Sequence, residues 1–267
     1  MKPLERGHKK LLNAWAFYDW ANSVYSLTIV STIFPIFYGL LFRIAKLTHI
    51  ELFGMVIKST SVIAFVTALA FTVVVVLSPI LSGIADYLGN KKSFMRFFCY
   101  LGAISCVGLY WFSLEHIYFG LLCYFCGVVG FWGSIVFYNS YLPDIALPEQ
   151  YDAVSAKGYS LGYTGSVLLL IFNLIMVMKP QWVGFATADA ETTLTTMRIS
   201  FITVGIWWIG FSSIPFYYLP SYKKGRGEFS KSILFNGFKE LRKVWQSLSA
   251  SPRLKWYLIA FFVYSMG

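Results

Sequence analysis

The chain has 267 residues, of which 57% are hydrophobic, 19% aromatic and only 13% charged, against about 25% charged in a soluble domain. That composition excludes an ordinary soluble globular protein and points to an all-α polytopic membrane protein. The formal net charge of +10 falls mostly between the apolar runs, so membrane topology accounts for it and no nucleic-acid partner is expected.

A hydrocarbon core about 30 Å thick needs a helix of roughly 20 apolar residues. Six stretches meet that demand and are predicted as spans: 14–41, 60–84, 94–114, 117–142, 156–178 and 197–219. The first run is too long for the apolar region of a signal peptide and has no small-residue cleavage site, so no cleavable signal is expected. It carries one acid well inside the apolar stretch, Asp19 in NAWAFYDWANSVYS, and the helical period puts Asn22, Ser23 and Ser26 on the same face. Charges within a span are costly and mark substrate or ion paths by default. Two readings therefore stand for Asp19. It binds a proton or a substrate ammonium, with Asn22 and Tyr18 adding hydrogen bonds, or it is a structural acid near the inner headgroups.

Span two ends in SGIADYLGNKK, Ser82 to Lys92, with Arg96 one turn further on. Gly89 suits a tight turn with φ > 0 and Asp86 suits a helix end or a basic partner. Cys99, Cys106, Cys123 and Cys126 all lie in apolar runs, where they are expected as small hydrophobes and not as a disulfide framework or a metal site. Span four has Gly127, Gly130 and Gly133 and ends with Tyr138, Asn139, Ser140 and Tyr141 before Pro143 and Asp144. Span five has Gly158, Gly162 and Gly165, with Tyr163 and Asn173 further along. Glycine faces let helices approach closely, while hydroxyls and amides serve either as substrate contacts or as interhelical glue.

The segment 220–255 has apolar residues at roughly helical spacing with Lys231, Lys239, Arg242 and Lys243 between them, and is predicted to form an amphipathic helix on the membrane surface. A seventh apolar run begins at Trp256 and holds twelve residues before the sequence stops, too few to cross, so the sequence looks truncated. The expected organisation is a six-helix bundle over 1–219, a cytoplasmic connection over 220–255 and the start of a seventh span over 256–267. Of the Lys and Arg residues, 17 fall on the N-terminal side of the membrane and 5 on the other, which puts the N terminus in the cytoplasm.

The loop after span two resembles the signature of the major facilitator superfamily, G-x-x-x-D-R-x-G-R-R/K-R/K. Asp86, Gly89, Lys91 and Lys92 match; Ser82, followed by Gly83, stands at the first glycine, while Tyr87 and Asn90 replace basic residues. WAFYDWANSVYSLTIVSTIFP, FYNSYLPDIALPEQYDAVSAKGYSLGY and that loop with its Tyr87 are together similar to the vacuole-effluxer branch, related to autophagy-linked vacuolar amino-acid effluxers. The resemblance covers most of residues 13–175 and implies a twelve-span carrier of amino acids or similar small solutes working by alternating access, of which this chain is the N-terminal six-helix half. It implies a small-molecule substrate, a lipid bilayer and a C-terminal half as partners, and no cofactor.

On that basis Asp19, Asn22, Tyr18, Asn139, Tyr163 and Asn173 are expected at a substrate or proton site. Ser82, Gly83, Asp86, Gly89, Lys91, Lys92, Arg96 and Asp144 are expected at a cytoplasmic gate, in which Asp86 or Asp144 pairs with Arg96 or the lysines. The short loops favour a bacterial inner membrane over a vacuolar one. The rival classes are a six-helix membrane interaction protein and a membrane-embedded enzyme. The enzyme lacks support, because His8, His49 and His116 are far apart and no nucleophile with a base is visible.

Overall fold

In the computed structural model, residues 5–186, 188–221, 246 and 251–266 are described. His8 caps the first helix by accepting the Lys10 backbone N–H at 3.2 Å. Helix α1 (Lys9–Val24) passes without a break into a π-helical segment, Tyr25–Ile33, and on into α2 (Phe34–Ile44). A short antiparallel hairpin follows, β1 (His49–Leu52) with β2 (Met55–Lys58), in the register His49 opposite Lys58 and Leu52 opposite Met55. Then come α3 (Ser59–Leu88), α4 (Lys91–Gly108), α5 (Ile117–Ile145), α6 (Tyr151–Met178), α7 (Ala190–Tyr218) and α8 (Pro252–Met266). Among the described residues, six helical runs are long and apolar enough to cross a membrane, and they coincide with the six predicted spans.

The chain divides into two compact units. The larger comprises the residues up to Val74 together with Lys91–Ser221; the smaller contains Val75–Asn90 and the C-terminal residues that include α8. In the larger unit, α1 is packed by α6 and α7, and α4 lies against α5 and α7. Glycine makes these approaches possible. A Cβ on Gly130 would strike the backbone of Gly102 across the α4–α5 contact, and one on Gly205 would lie 2.6 Å from the carbonyl oxygen of Ala103. Aromatic rings fill what remains: Phe34 stacks on Tyr124 at 4.5 Å, Phe37 meets Phe201 edge-on at 5.1 Å, and Trp208 is fully buried against Tyr25. Such close backbone approach and van der Waals packing replace the hydrophobic drive that is absent between helices in lipid.

The helices outrun the predicted spans at several ends. The first begins at Lys9 and not at residue 14, and the fourth continues through Pro143 to Ile145. Apolarity marks only the hydrocarbon core, whereas a helix carries its charged ends into the headgroup layer. Arg198, near the start of the predicted sixth span, sits inside α7, where Nη2 donates to the Phe112 carbonyl oxygen at 3.1 Å and its guanidinium covers the Phe37 ring. A long side chain anchoring at a helix end explains how an apolar segment tolerates it. The hairpin was not anticipated, and the predicted amphipathic helix of 220–255 lies for the most part outside the described residues.

Replacing Gly130 by Ala is expected to lower stability by about 1–3 kcal/mol, because the new methyl meets backbone that cannot rotate away. Gly39→Ala, with nothing within 4 Å, is the neutral control. Thermal unfolding of the two variants in detergent checks the contrast.

Candidate functional site

Asp19 lies ten residues beyond Lys9 on α1, about 15 Å along the axis. Its Oδ2 accepts the Tyr138 hydroxyl of α5 at 2.8 Å. Tyr138 is itself held in place: Trp15 stacks on its ring at 4.2 Å and donates its indole N–H to the Tyr138 carbonyl oxygen at 2.8 Å. From the other side α6 comes in on its glycines. A Cβ on Gly158 would stand 2.5 Å from Asp19 Oδ2, one on Gly162 would stand 2.6 Å from Ser23 Oγ, and one on Gly165 would press on the Trp20 ring. The glycine face of span five therefore packs on the polar stripe of span one.

A cavity of about 270 Å³ opens from this stripe. Asp19, Asn22, Ser23, Ser26, Leu27 and Ser31 form one wall, Phe131 and Ile135 of α5 a second, and Tyr159, Tyr163 and Ser166 of α6 a third. Tyr159 and Tyr163 are largely exposed, so the cavity reaches the surface of the bundle. Its size sits near the lower end of small-molecule sites. Asn22 is buried, and its Nδ2 has no hydrogen-bond partner although its Oδ1 accepts from Ser23 Oγ. Among the described residues Asp19 makes no ion pair. The wall thus combines a carboxylate, an amide donor without a partner and several hydroxyls, which can hold a small solute bearing a positive group and hydrogen-bond acceptors.

The other expected site residues are distributed differently. Tyr163 lines the cavity. Tyr18 is fully buried, its ring against Tyr138 and Phe216, because one residue before Asp19 is about 100° round the helix and faces the bundle core. Asn173 is buried between α6 and α7, where its Oδ1 accepts from Thr203 Oγ1 at 2.8 Å, and Asn139 is exposed on α5; neither lines the cavity. Tyr138 and Tyr159 stood in the sequence only as hydroxyls open to either substrate contact or interhelical packing, and Ser31 and Ser166 were not considered as site residues. The glycine triplet of span five was the signal that could have ranked the two tyrosines higher, since it marks where α6 comes closest.

At the end of the bundle that holds the N terminus, Lys91 Nζ pairs with Asp144 Oδ2 at 2.8 Å and donates to the Ser140 carbonyl oxygen at 3.2 Å, tying α4 to α5. Lys92 Nζ donates to the carbonyl oxygen of Leu219, the residue that caps α7, at 2.7 Å. Among the described residues Arg96 joins no acid; its guanidinium lies over the Phe216 ring at 5.3 Å. The N-terminal segment crosses the α5–α6 turn: Gly7 N–H donates to Ile145, Arg6 Nε to Ala146, and Lys157 Nζ reaches Asn13 Oδ1. Ser82, Gly83 and Asp86 belong to α3, and the side chain of Asp86 lies outside what is described. Gly89 takes φ of +63° in the turn that follows, as its position in the loop requires.

Two energetic consequences follow from these contacts. Gly158→Ala is expected to destabilise by about 1–3 kcal/mol, and most of that loss should disappear in an Asp19→Ala background, where the obstructing carboxylate is gone. A double-mutant cycle of Lys91→Met and Asp144→Asn should give a coupling of about 1 kcal/mol, as for other partly exposed pairs. Thermal unfolding in detergent measures both.

Over residues 7–267 the chain matches the family described as vacuole effluxer Atg22 like. It is 32% identical over 262 residues to an uncharacterized MFS-type transporter, YxiO, of Bacillus subtilis, covering 96% of this chain and 56% of that protein. It is 26% identical over 170 residues to an uncharacterized protein of Aquifex aeolicus, covering 63% of this chain and 39% of that one. The chain spans about half the length of the curated relatives it matches. No solved structure matches. The polytopic helical architecture, the polar stripe of its first span and the match over almost every residue agree: the chain belongs to the Atg22-like vacuole effluxer family.

Proposed function

We propose that the chain supplies the N-terminal six-helix half of a secondary transporter of the major facilitator type, which moves small organic solutes, amino acids among them, outward by alternating access. The family match and the MFS-type relative support the transporter class. One observation carries the rest: Asp19, about three turns inside the first helix, faces a cavity and has a single hydroxyl donor and, among the described residues, no ion-pair partner. A carboxylate so placed in a membrane is a functional site by default, and its positive partner comes from the cavity as a proton or as the ammonium group of a solute. Asn22, Ser23, Ser26, Tyr159 and Tyr163 then orient the solute through hydrogen bonds.

In this reading, carrier halves of similar construction enclose the solute near the bilayer midplane, and the greater length of the relatives accommodates the second half. The Lys91–Asp144 pair acts as a latch at the N-terminal face, which the Lys and Arg distribution assigns to the cytoplasm. The membrane in this reading is a bacterial cell membrane, which suits the short loops. The chain is read as a carrier and not an enzyme, in line with the transporter class of its family match and relative.

The test is transport by the full-length protein in proteoliposomes, with a mixed pool of labelled amino acids and an imposed pH gradient. Accumulation that depends on the gradient and falls at least about tenfold in Asp19→Asn, a loss of roughly 1.4 kcal/mol or more, supports the reading. Undiminished transport by the variant removes Asp19 from the mechanism, and absence of transport for every amino acid removes the substrate class.

A further inference from the structure

The β1–β2 hairpin occupies the end of the bundle opposite the N terminus, between the first span and α3, and is closed at its base by the Ser59 N–H donating to the Thr48 carbonyl oxygen at 3.0 Å. Its two-residue turn is Phe53-Gly54, with φ of +52° and +76°. A turn with both central residues left-handed ordinarily takes Asn-Gly or Asp-Gly, whose polar side chains suit water and tolerate that backbone. Here a phenylalanine takes the first position and presents its ring 83% exposed, beside Met55 and Val56, which are also exposed. A loop meant for water would gain from Asn at this position and lose nothing in turn geometry.

What lies at the level of the tip is fixed by its contact with α5. The Tyr118 hydroxyl accepts the Phe53 backbone N–H at 3.1 Å, and the two rings meet edge-on at 5.2 Å. Tyr118 is the second residue of a 29-residue helix, about 43 Å long, which matches a bilayer counted with its headgroup layers. The first turn of α5 therefore stands in the headgroup layer, where Tyr118 and Phe119 are exposed and Trp111, at the end of the preceding helical run, is exposed as well. Tyr and Trp collect at that depth because one part of each ring system is apolar and the other polar.

We propose that the hairpin is a lipid-interface anchor, its Phe53, Met55 and Val56 side chains inserted at the boundary between headgroups and acyl chains in the leaflet farther from the N terminus. His49 and Lys58, paired across the open end of the hairpin, then face the water and phosphate side of that layer. The anchor is independent of the transport reading and of the Asp19 cavity, and it holds the connection between the first two spans against the membrane surface.

The experiment uses full-length protein in vesicles of phosphatidylethanolamine and phosphatidylglycerol, with the photoreactive residue p-benzoylphenylalanine placed at Val56. A second sample carries it at Phe65, which is exposed on α3 within a span and serves as the lipid-facing control. Irradiation and mass spectrometry of the hairpin peptide should find lipid adducts at position 56. Phe53→Asn, which keeps a residue tolerant of the left-handed turn, should lower their yield severalfold without altering the yield at position 65. The proposal is overturned if position 56 gives no lipid adduct while position 65 does, if it cross-links to polypeptide instead, or if Phe53→Asn leaves its yield unchanged.

Discussion

The rest of the bundle is arranged around one constraint, a carboxylate about three turns inside the first helix that has a place but, among the described residues, no counter-charge. Two features meet it. Tyr138 supplies one donor, itself fixed by a ring and a hydrogen bond from Trp15 one turn before the acid. Gly158 and Gly162 supply space, since any side chain there would collide with Asp19 or Ser23. The α1, α5 and α6 helices are thereby held to one mutual geometry by a single polar group. The cavity opens beside that group because α6, held close by its glycines, turns Tyr159 and Tyr163 toward the opening.

The opposite requirement governs the end of the bundle that holds the N terminus. There the helices are closed by groups that lipid would not accept: Lys91 on Asp144, Lys92 on the carbonyl of Leu219, Arg6 on the carbonyl of Ala146. A cation on a helix C-terminal carbonyl satisfies an orphan acceptor and complements the helix dipole at once. Each such tie is modest where water competes, and under the proposed transport cycle this suits contacts that open and reclose. The strong, unchangeable packing through Gly102, Gly130 and Gly205 lies deeper. The division places rigid contacts in the core and labile ones at the face.

Span number, order and approximate extent were legible in the sequence because lipid enforces a minimum apolar length that few other folds need. The polar stripe of Asp19, Asn22, Ser23 and Ser26 was legible for the same reason, since a period of 3.6 is reliable in a continuous helix. Partners across helices were not. Nothing in the pattern says that Tyr138 and not Asn139 turns toward Asp19, because one residue along α5 is 100° of rotation, and the helix that receives it is set by packing. The basic residues near Asp144 were interchangeable on the page; only the fold puts Lys91 within reach and leads Arg96 to an aromatic face. The hairpin escaped notice because ten residues between two spans, with Phe where a turn favours Asn, carry no apolar run of their own.

The one place where the period itself misleads is informative. Carried on with α-helical spacing, the stripe of span one would pass from Asp19 and Asn22 through Ser26 to Val30, an apolar residue, and the polar wall would stop. The π-helical winding of Tyr25–Ile33 shifts the register by a residue, so Ser31 takes the place beside Ser26. The Ser31 hydroxyl donates to the Ser26 carbonyl oxygen at 2.9 Å, five residues back, which is the spacing of that winding. Pro35, just beyond, has no N–H to give to the ladder and its ring crowds the carbonyl four residues earlier, that of Ser31, so α-helical pairing is weakened where the wide turn is needed. A nine-residue π segment is rare because it trades backbone packing for this shift. Here it lengthens a polar wall by one hydroxyl in a span whose sequence would otherwise have turned an isopropyl-like face to the cavity.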